Sequence, residues 1–257
     1  MSLSYKNILN LPDRVLLEKK LTKAFFLKNF ELSTSEKKVL NSSIAQMEWL
    51  ASIKPNNSNI QSVINDQFAF EEVQIMVCTI GDEKLDAVAN TCIQLFQKYI
   101  PYQMLLIVEN DQEFVINVCE KRINQNDKTK RTIEKQYSTK VLSKLFKDDT
   151  TDAFLKSIDF AIIDKTNLES FYQSYINSII QLNSASVTGV FQKRTNTRTK
   201  EDQELLNKME ELEKDISKLA NQLKAEKQQS QKVTLNIAIH QKKTQVENIK
   251  QLLMVND

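Results

Sequence analysis

AEKQQSQKVTLN, residues 225–236, interrupts a long charged tail and decides how that tail folds. Before it, Leu205, Met209, Leu212, Ile216, Leu219 and Leu223 alternate spacings of four and three. After it, Leu235, Ile239, Lys242, Val246, Ile249 and Leu253 repeat the same rhythm. That rhythm is the seam of a coiled coil. The gap from Leu223 to Leu235 breaks the phase that one straight helix would keep. A chain that turns back at Gln229 restores it, because the two seams are equidistant from that residue. Leu205 then faces Leu253, Met209 faces Ile249, Leu212 faces Val246, Leu219 faces Ile239 and Leu223 faces Leu235. Ile216 meets Lys242, whose alkyl stem can cover it while the ammonium reaches water.

The tail, residues 201–257, is therefore expected to form an antiparallel helical hairpin. A continuous helix with a stutter is the alternative, since the break holds neither Gly nor Pro. One narrow seam makes a marginal structure by itself. Leu206, Val233, Ile237, Leu252 and Val255 lie off the seam and call for a further surface. It could be another part of this chain, a second copy forming a homo-oligomer, or another protein chain; the last is the expectation. Residues 183–200, NSASVTGVFQKRTNTRTK, are small, polar and then basic, and read as a linker.

Residues 1–182 carry the patterns of an α+β domain. Arg14 to Phe30 has helical apolar spacing. STSE, Ser33 to Glu36, is a capping box that opens a helix carrying Val39, Leu40, Ile44 and Met47. Trp49 and Leu50 follow, and KPNNSN, residues 54–59, ends that unit. EEVQIMVCTI (71–80) reads as a buried strand, Gly81-Asp82 as a turn, and Glu83 to Ile100 as an amphipathic helix stopped by Pro101. MLLIVE (104–109), EFVINVCEK (113–121) and RTIEKQYSTKVL (131–142) read as further strands. NDQ forms a hairpin turn between the first two. Helix returns from Asp152, with TNLE, Thr166 to Glu169, as a second capping box. The expected fold class is α+β: a mainly antiparallel sheet with packed helices, followed by the hairpin.

Scarcities limit the chemistry. Only Gly81 and Gly189 occur, so glycine-built phosphate cradles are absent. One histidine, His240, and three scattered cysteines leave neither a zinc ligand set nor a Ser-His-Asp triad. No cofactor or metal set is implied. Cys78, Cys92 and Cys119 read as buried small hydrophobes in a reducing cytoplasm. No apolar run is long enough for a membrane span, and the start, MSLSYKNILNLPDR, lacks the apolar core of a secretory signal.

Two chemical alternatives remain. Asp66 with Glu72-Val73-Gln74 is a thin version of the acid and Glu-x-Gln arrangement with which nucleases hold Mg²⁺. A strand opened by solvated acids is the simpler account. Asp148, Asp149 and Asp152 are explained by helix capping and the helix dipole. Residues 121–147 are basic, with Lys121, Arg122, Lys128, Lys130, Arg131 and Lys135 as candidates for phosphate contact and Lys140, Lys144 and Lys147 beyond them. Lys193, Arg194, Arg198 and Lys200 extend that charge into the linker. A basic strand edge that discourages aggregation is the structural counterpart, and Tyr137 is the only aromatic interleaved for base stacking.

ILNLP, MEWLASIKPNNSNI, FEEVQIMVCTI, KYIPYQMLLIVEN and LKAEKQQSQKVTLN together resemble a prokaryotic family known only as a domain of unknown function. Trp49, Pro55, Asn59, Ile60, Gln74, Pro101 and Tyr102 fall on the matching positions. The Phe-Asn-Arg common in the family's tail motif is replaced here by Gln229, Ser230 and Gln231. Members are often encoded beside helicases and DNA methyltransferases of restriction-like or phage-defence operons. The resemblance thus implies a non-catalytic accessory or interaction subunit of a DNA-processing complex, with a helicase or methyltransferase as partner. It carries over no catalytic residue.

Overall fold

A computed structural model describes residues 4–81, 83–128, 130–146 and 148–255. Asp82 of the expected turn and Lys147 of the basic stretch lie outside the described residues. The chain divides into two compact units, Met1–Ile179 and Ile180–Asp257.

The first unit begins with α1 (Tyr5–Ile8), a 3-10 turn (Asp13–Val15), β1 (Leu16–Leu21), α2 (Lys23–Asn29) and α3 (Thr34–Ser42). There follow β2 (Ile44–Ile53), α4 (Pro55–Ser58), β3 (Val63–Ile64), β4 (Ala69–Phe70), β5 (Val73–Ile80), α5 (Leu85–Tyr99), β6 (Gln103–Glu109) and β7 (Glu113–Ile123). β8 (Arg131–Ser138), β9 (Leu142–Ser143), α6 (Asp149–Ser157) and α7 (Leu168–Thr188) complete the order, α7 ending in the second unit. The main sheet runs β1-β2-β5-β6-β7-β8, with β9 also on β7, and β3 and β4 make a separate ribbon. All its pairings are antiparallel except β5 with β6. That pair is parallel because α5 carries the chain back across the sheet between them. The α+β class with a mainly antiparallel sheet is therefore what the chain adopts.

Alternation along the central strands sends side chains to both faces. On one face Met76 and Cys78 of β5 and Met104, Leu106 and Val108 of β6 join Leu85, Cys92 and Phe96 of α5 in a buried cluster. Phe26 of α2 and Leu40 of α3 belong to the same cluster. The opposite face is also covered. Phe114 of β7 meets Tyr5 edge to face, and the Tyr172 hydroxyl of α7 bonds the backbone of Met104 and Cys119.

Two expectations in this unit are corrected. Arg14–Phe30 is not one helix: β1 and α2 divide it, and Thr22 starts α2 by accepting from the Phe25 amide at 3.2 Å. Ile44, Met47, Trp49 and Leu50 belong to strand β2, although the Ser33–Glu36 capping box does open α3. The cause is physical. β2 shifts register between Ile44 and Gln46 and again between Trp49 and Ala51. Each shift adds a residue to one side of the pairing. Ile44 and Met47 thereby reach the same core at a three-residue spacing that imitates a helix. β1 has its own irregularity around Glu18, at φ 47°.

Other signals hold with small displacements. KPNNSN becomes the short α4, ended by Asn59 in the left-handed region at φ 61°. The Asn110 carboxamide accepts from Gln112 and Glu113 and closes the β6–β7 hairpin. Asp148 caps α6 through the Thr151 amide at 2.7 Å. The cap of α7 is Asn167, which accepts from Ser170, one position after the Thr166 expected to do so.

In the second unit α8 (Asn196–Ala225) and α9 (Gln229–Met254) form the hairpin. The stretch expected to be a linker is helical up to Thr188 and again from Asn196, leaving 189–195 between helices. Leu212, Val246, Ile249 and Leu253 are its buried core, with Leu205, Leu206, Met209, Ile216 and Val187 packed around them. The turn needs no glycine. Glu226 and Gln228 are both extended, with φ of −70° and −78°, and the Glu226 carboxylate accepts from the Lys227 and Gln228 amides. Lys242 resolves its mismatch by pairing with Asp215 at 2.9 Å.

Candidate functional site

The residues proposed from sequence fall into three places. Glu72 opens β5 beside the end of β2, where one Oε2 accepts from Ser52 at 3.0 Å and Gln74 at 2.7 Å. Lys54 pairs with the same oxygen at 2.7 Å. The fully buried Gln74 also accepts from the Trp49 indole at 2.6 Å and donates to Ser52 at 3.0 Å. Burial, and next the charge and hydrogen bond of Glu72, push the Tyr102 hydroxyl up. Trp49, Gln74 and Tyr102, quoted for the family resemblance, thus gather around one carboxylate. These bonds run from neighbour to neighbour across the two strands, which makes the group a brace between β2 and β5.

Asp66 is elsewhere. It is exposed beyond β3 and lines a polar cleft with Gln67, Phe68, Glu120, Arg122, Gln125, Glu134 and Lys135. Among the described residues no three His, Cys, Asp or Glu side chains converge as a ligand set.

The basic stretch is divided by burial. Lys121 is fully buried and donates to the carbonyls of Ile100 at 2.7 Å and Tyr102 at 2.9 Å, beyond the end of α5. It is thus withdrawn from any phosphate. Arg122 pairs with Glu134, Lys130 with Asp127 at 3.2 Å and Arg131 with Glu71 at 3.7 Å, while Lys128 and Lys135 are exposed. β8 is an edge of the sheet, where such charges oppose strand addition.

Burial pushes Lys121 down to about 7 from 10.5. Across that interval the unfolded chain binds a proton that the folded chain has released, so stability rises with pH from 7 towards 10.5. Lys121→Met should abolish that rise. The check is the urea midpoint of both proteins at pH 7 and at about pH 9.5. The difference between them removes the contribution of the tyrosines, which desolvation raises.

Sequence reasoning missed a further charged cluster. Glu109, at the end of β6, accepts from the Tyr5 hydroxyl at 2.6 Å and pairs with Lys144 at 2.6 Å, and Thr79 of β5 donates to it at 3.3 Å. An acid closing the apolar run MLLIVE was the available signal. Cys78, Cys92 and Cys119 are all fully buried, and desolvation pushes Cys119 up to about 12. Among the described residues no helix is long and apolar enough to cross a membrane.

The hairpin carries the remaining candidates. Leu206 is drawn into its core. Val233, Ile237, Leu252 and Val255 are each more than half exposed. At 3.6 residues per turn Val233, Ile237 and Leu252 share the face of α9 opposite Leu235, Val246 and Leu253, and Val255 follows the helix as its extended C-cap. Gln241, Thr244 and Asn248 fill the same face between them, and all three are exposed. The charged residues of α9, Lys232, Lys242, Lys243, Glu247 and Lys250, lie outside this arc. The outer surface of α8 is instead studded with charge, including Glu204, Lys208, Glu211 and Lys218.

The end of α9 is fastened by residues expected in a basic linker. Arg194 donates to the carbonyls of Leu253 at 2.6 Å and Val255 at 3.0 Å, and Arg198 to that of Leu252 at 2.6 Å. Asp202, fully buried, holds both guanidinium groups, at 3.2 Å and 3.1 Å. Two cations thus satisfy carbonyls that a helix C-terminus leaves open.

An α+β unit and a helical hairpin with one uncharged, exposed face define the protein. The chain belongs to the family Domain of unknown function (DUF4391), whose profile it matches over residues 9–246. No curated protein and no solved structure matches the chain.

Proposed function

We propose that this chain is a non-catalytic interaction subunit of a DNA-processing or phage-defence assembly, and that the hairpin is its docking element. The observation that carries the reading is the outer face of α9, where Val233, Ile237 and Leu252 are exposed on an arc free of charged residues, with exposed Val255 just beyond the helix. Apolar side chains at that exposure lose free energy to water, which a partner surface would recover. The seam on the other side of the same helix is already closed by α8. The named partner class, a helicase or DNA methyltransferase, follows from the family resemblance.

Ile237→Glu tests the reading in the full-length chain. Ile237 is 54% exposed, so the substitution leaves the fold intact while placing a charge on the face. Tagged wild-type protein recovered from its native host should bring down a helicase or methyltransferase, and the variant should lose it. Equal recovery by both proteins would overturn the hairpin as the docking element.

A further inference from the structure

We propose that Cys78 and Cys92 form a dithiol that peroxide closes to a disulfide, tying α5 to β5. The inference concerns the core of the first unit and is independent of the docking role of the hairpin.

Alternation along β5 turns Met76, Cys78 and Ile80 towards α5, and helical spacing turns Leu85, Ala89, Cys92 and Phe96 of α5 back towards the strand. Both cysteines thereby enter one cluster, each fully buried. There the Cys78 thiol is hydrogen-bonded to Cys92. Sulfurs already in contact need little backbone movement to bond. The same hydrogen bond holds the Cys92 thiol below its ordinary range and, with burial, pushes Cys78 well above it. Cys92 is therefore the thiol that ionises and Cys78 the one that resolves. Cys119 gives the contrast. It is equally buried, but its thiol donates to the Asn117 carboxamide at 3.7 Å.

The chemistry balances with hydrogen peroxide as the oxidant. The Cys92 sulfur attacks one peroxide oxygen, the O–O bond breaks, and a sulfenic acid and one water result. The Cys78 sulfur then attacks the Cys92 sulfur, the S–O bond breaks, and hydroxide leaves with the Cys78 proton as a second water. Two thiols are oxidised and one peroxide is reduced. Burial makes the step slow, since α5 must lift locally from the sheet to admit peroxide. The link then closes the chain between 78 and 92 and restricts its unfolded state.

Full-length protein held in hydrogen peroxide under native conditions should fall from three free thiols to one. Peptide mapping should find Cys78 joined to Cys92 within one chain and Cys119 still free, and dithiothreitol should restore all three thiols. Cys92→Ser should form no link, whereas Cys119→Ser should form it as the wild type does. The oxidised protein should unfold at a higher urea midpoint than the reduced one. Three thiols surviving prolonged treatment overturn the inference. So does Cys92 carried to the sulfinic acid beside a free Cys78, since the two sulfurs then do not meet. A link that includes Cys119 or a second chain overturns it as well, and so does one that lowers the midpoint. None of these results bears on the Ile237→Glu test of the hairpin.

Discussion

Asp202→Ala is expected to destabilise the hairpin by about 3–5 kcal/mol, the usual consequence of removing one partner from a buried ion pair. Asp202 is fully buried, and the Arg194 side chain is only 6% exposed. Removing the carboxylate leaves two guanidinium groups facing each other with little water to screen them. The damage spreads to α9, because the same guanidinium groups hold the carbonyls of Leu252, Leu253 and Val255. Urea unfolding followed by far-ultraviolet circular dichroism would measure the loss, and hydrogen exchange should show the last turn of α9 opening first. Asp202→Asn, which keeps hydrogen-bond acceptance without charge, should fall between the two. A loss below about 1 kcal/mol, the range of an exposed pair, would show that water reaches the cluster.

Gln74→Ala should cost about 2–5 kcal/mol, because it strands the Trp49 indole and takes a donor from the Glu72 carboxylate, each worth about 1–3 kcal/mol or more when unsatisfied. Gln74→Leu separates this cause from lost volume. Leucine refills the space yet leaves the same polar atoms alone, so most of the alanine loss should remain. If leucine restored stability, packing would be the larger part. Trp49 is the only tryptophan, so its fluorescence reports directly on the brace. A Glu-x-Gln pair serving a metal would behave differently, since its loss would impair a reaction and spare the fold.

The contrast between Lys54 and Lys121 shows how partners redistribute sequence signals. Lys54 follows β2 and carries no sequence signal of a site, yet it pairs with Glu72 at the start of β5. Lys121 stood first among the phosphate-binding candidates, yet it is fully buried against the chain that follows α5. Both outcomes depend on which strand lies beside which. Sequence spacing along one element carries no such information.

Elements whose signal is local can be read from residue order alone. The hairpin was legible because two seams equidistant from Gln229 require only that the chain turn. The Ser33–Glu36 box, the Asn110 turn and α5 were legible because capping, turn closure and amphipathic spacing act within a few residues. The remaining features depend on long-range contacts. β2 looked helical until pairing with β5 introduced shifts that put Ile44 and Met47 on one face. Arg194 and Arg198 looked like linker charge until the end of α9 came within reach of both. Register and burial arise from contacts far apart in the chain, where strand pairing and the desolvation of charge outweigh local preference.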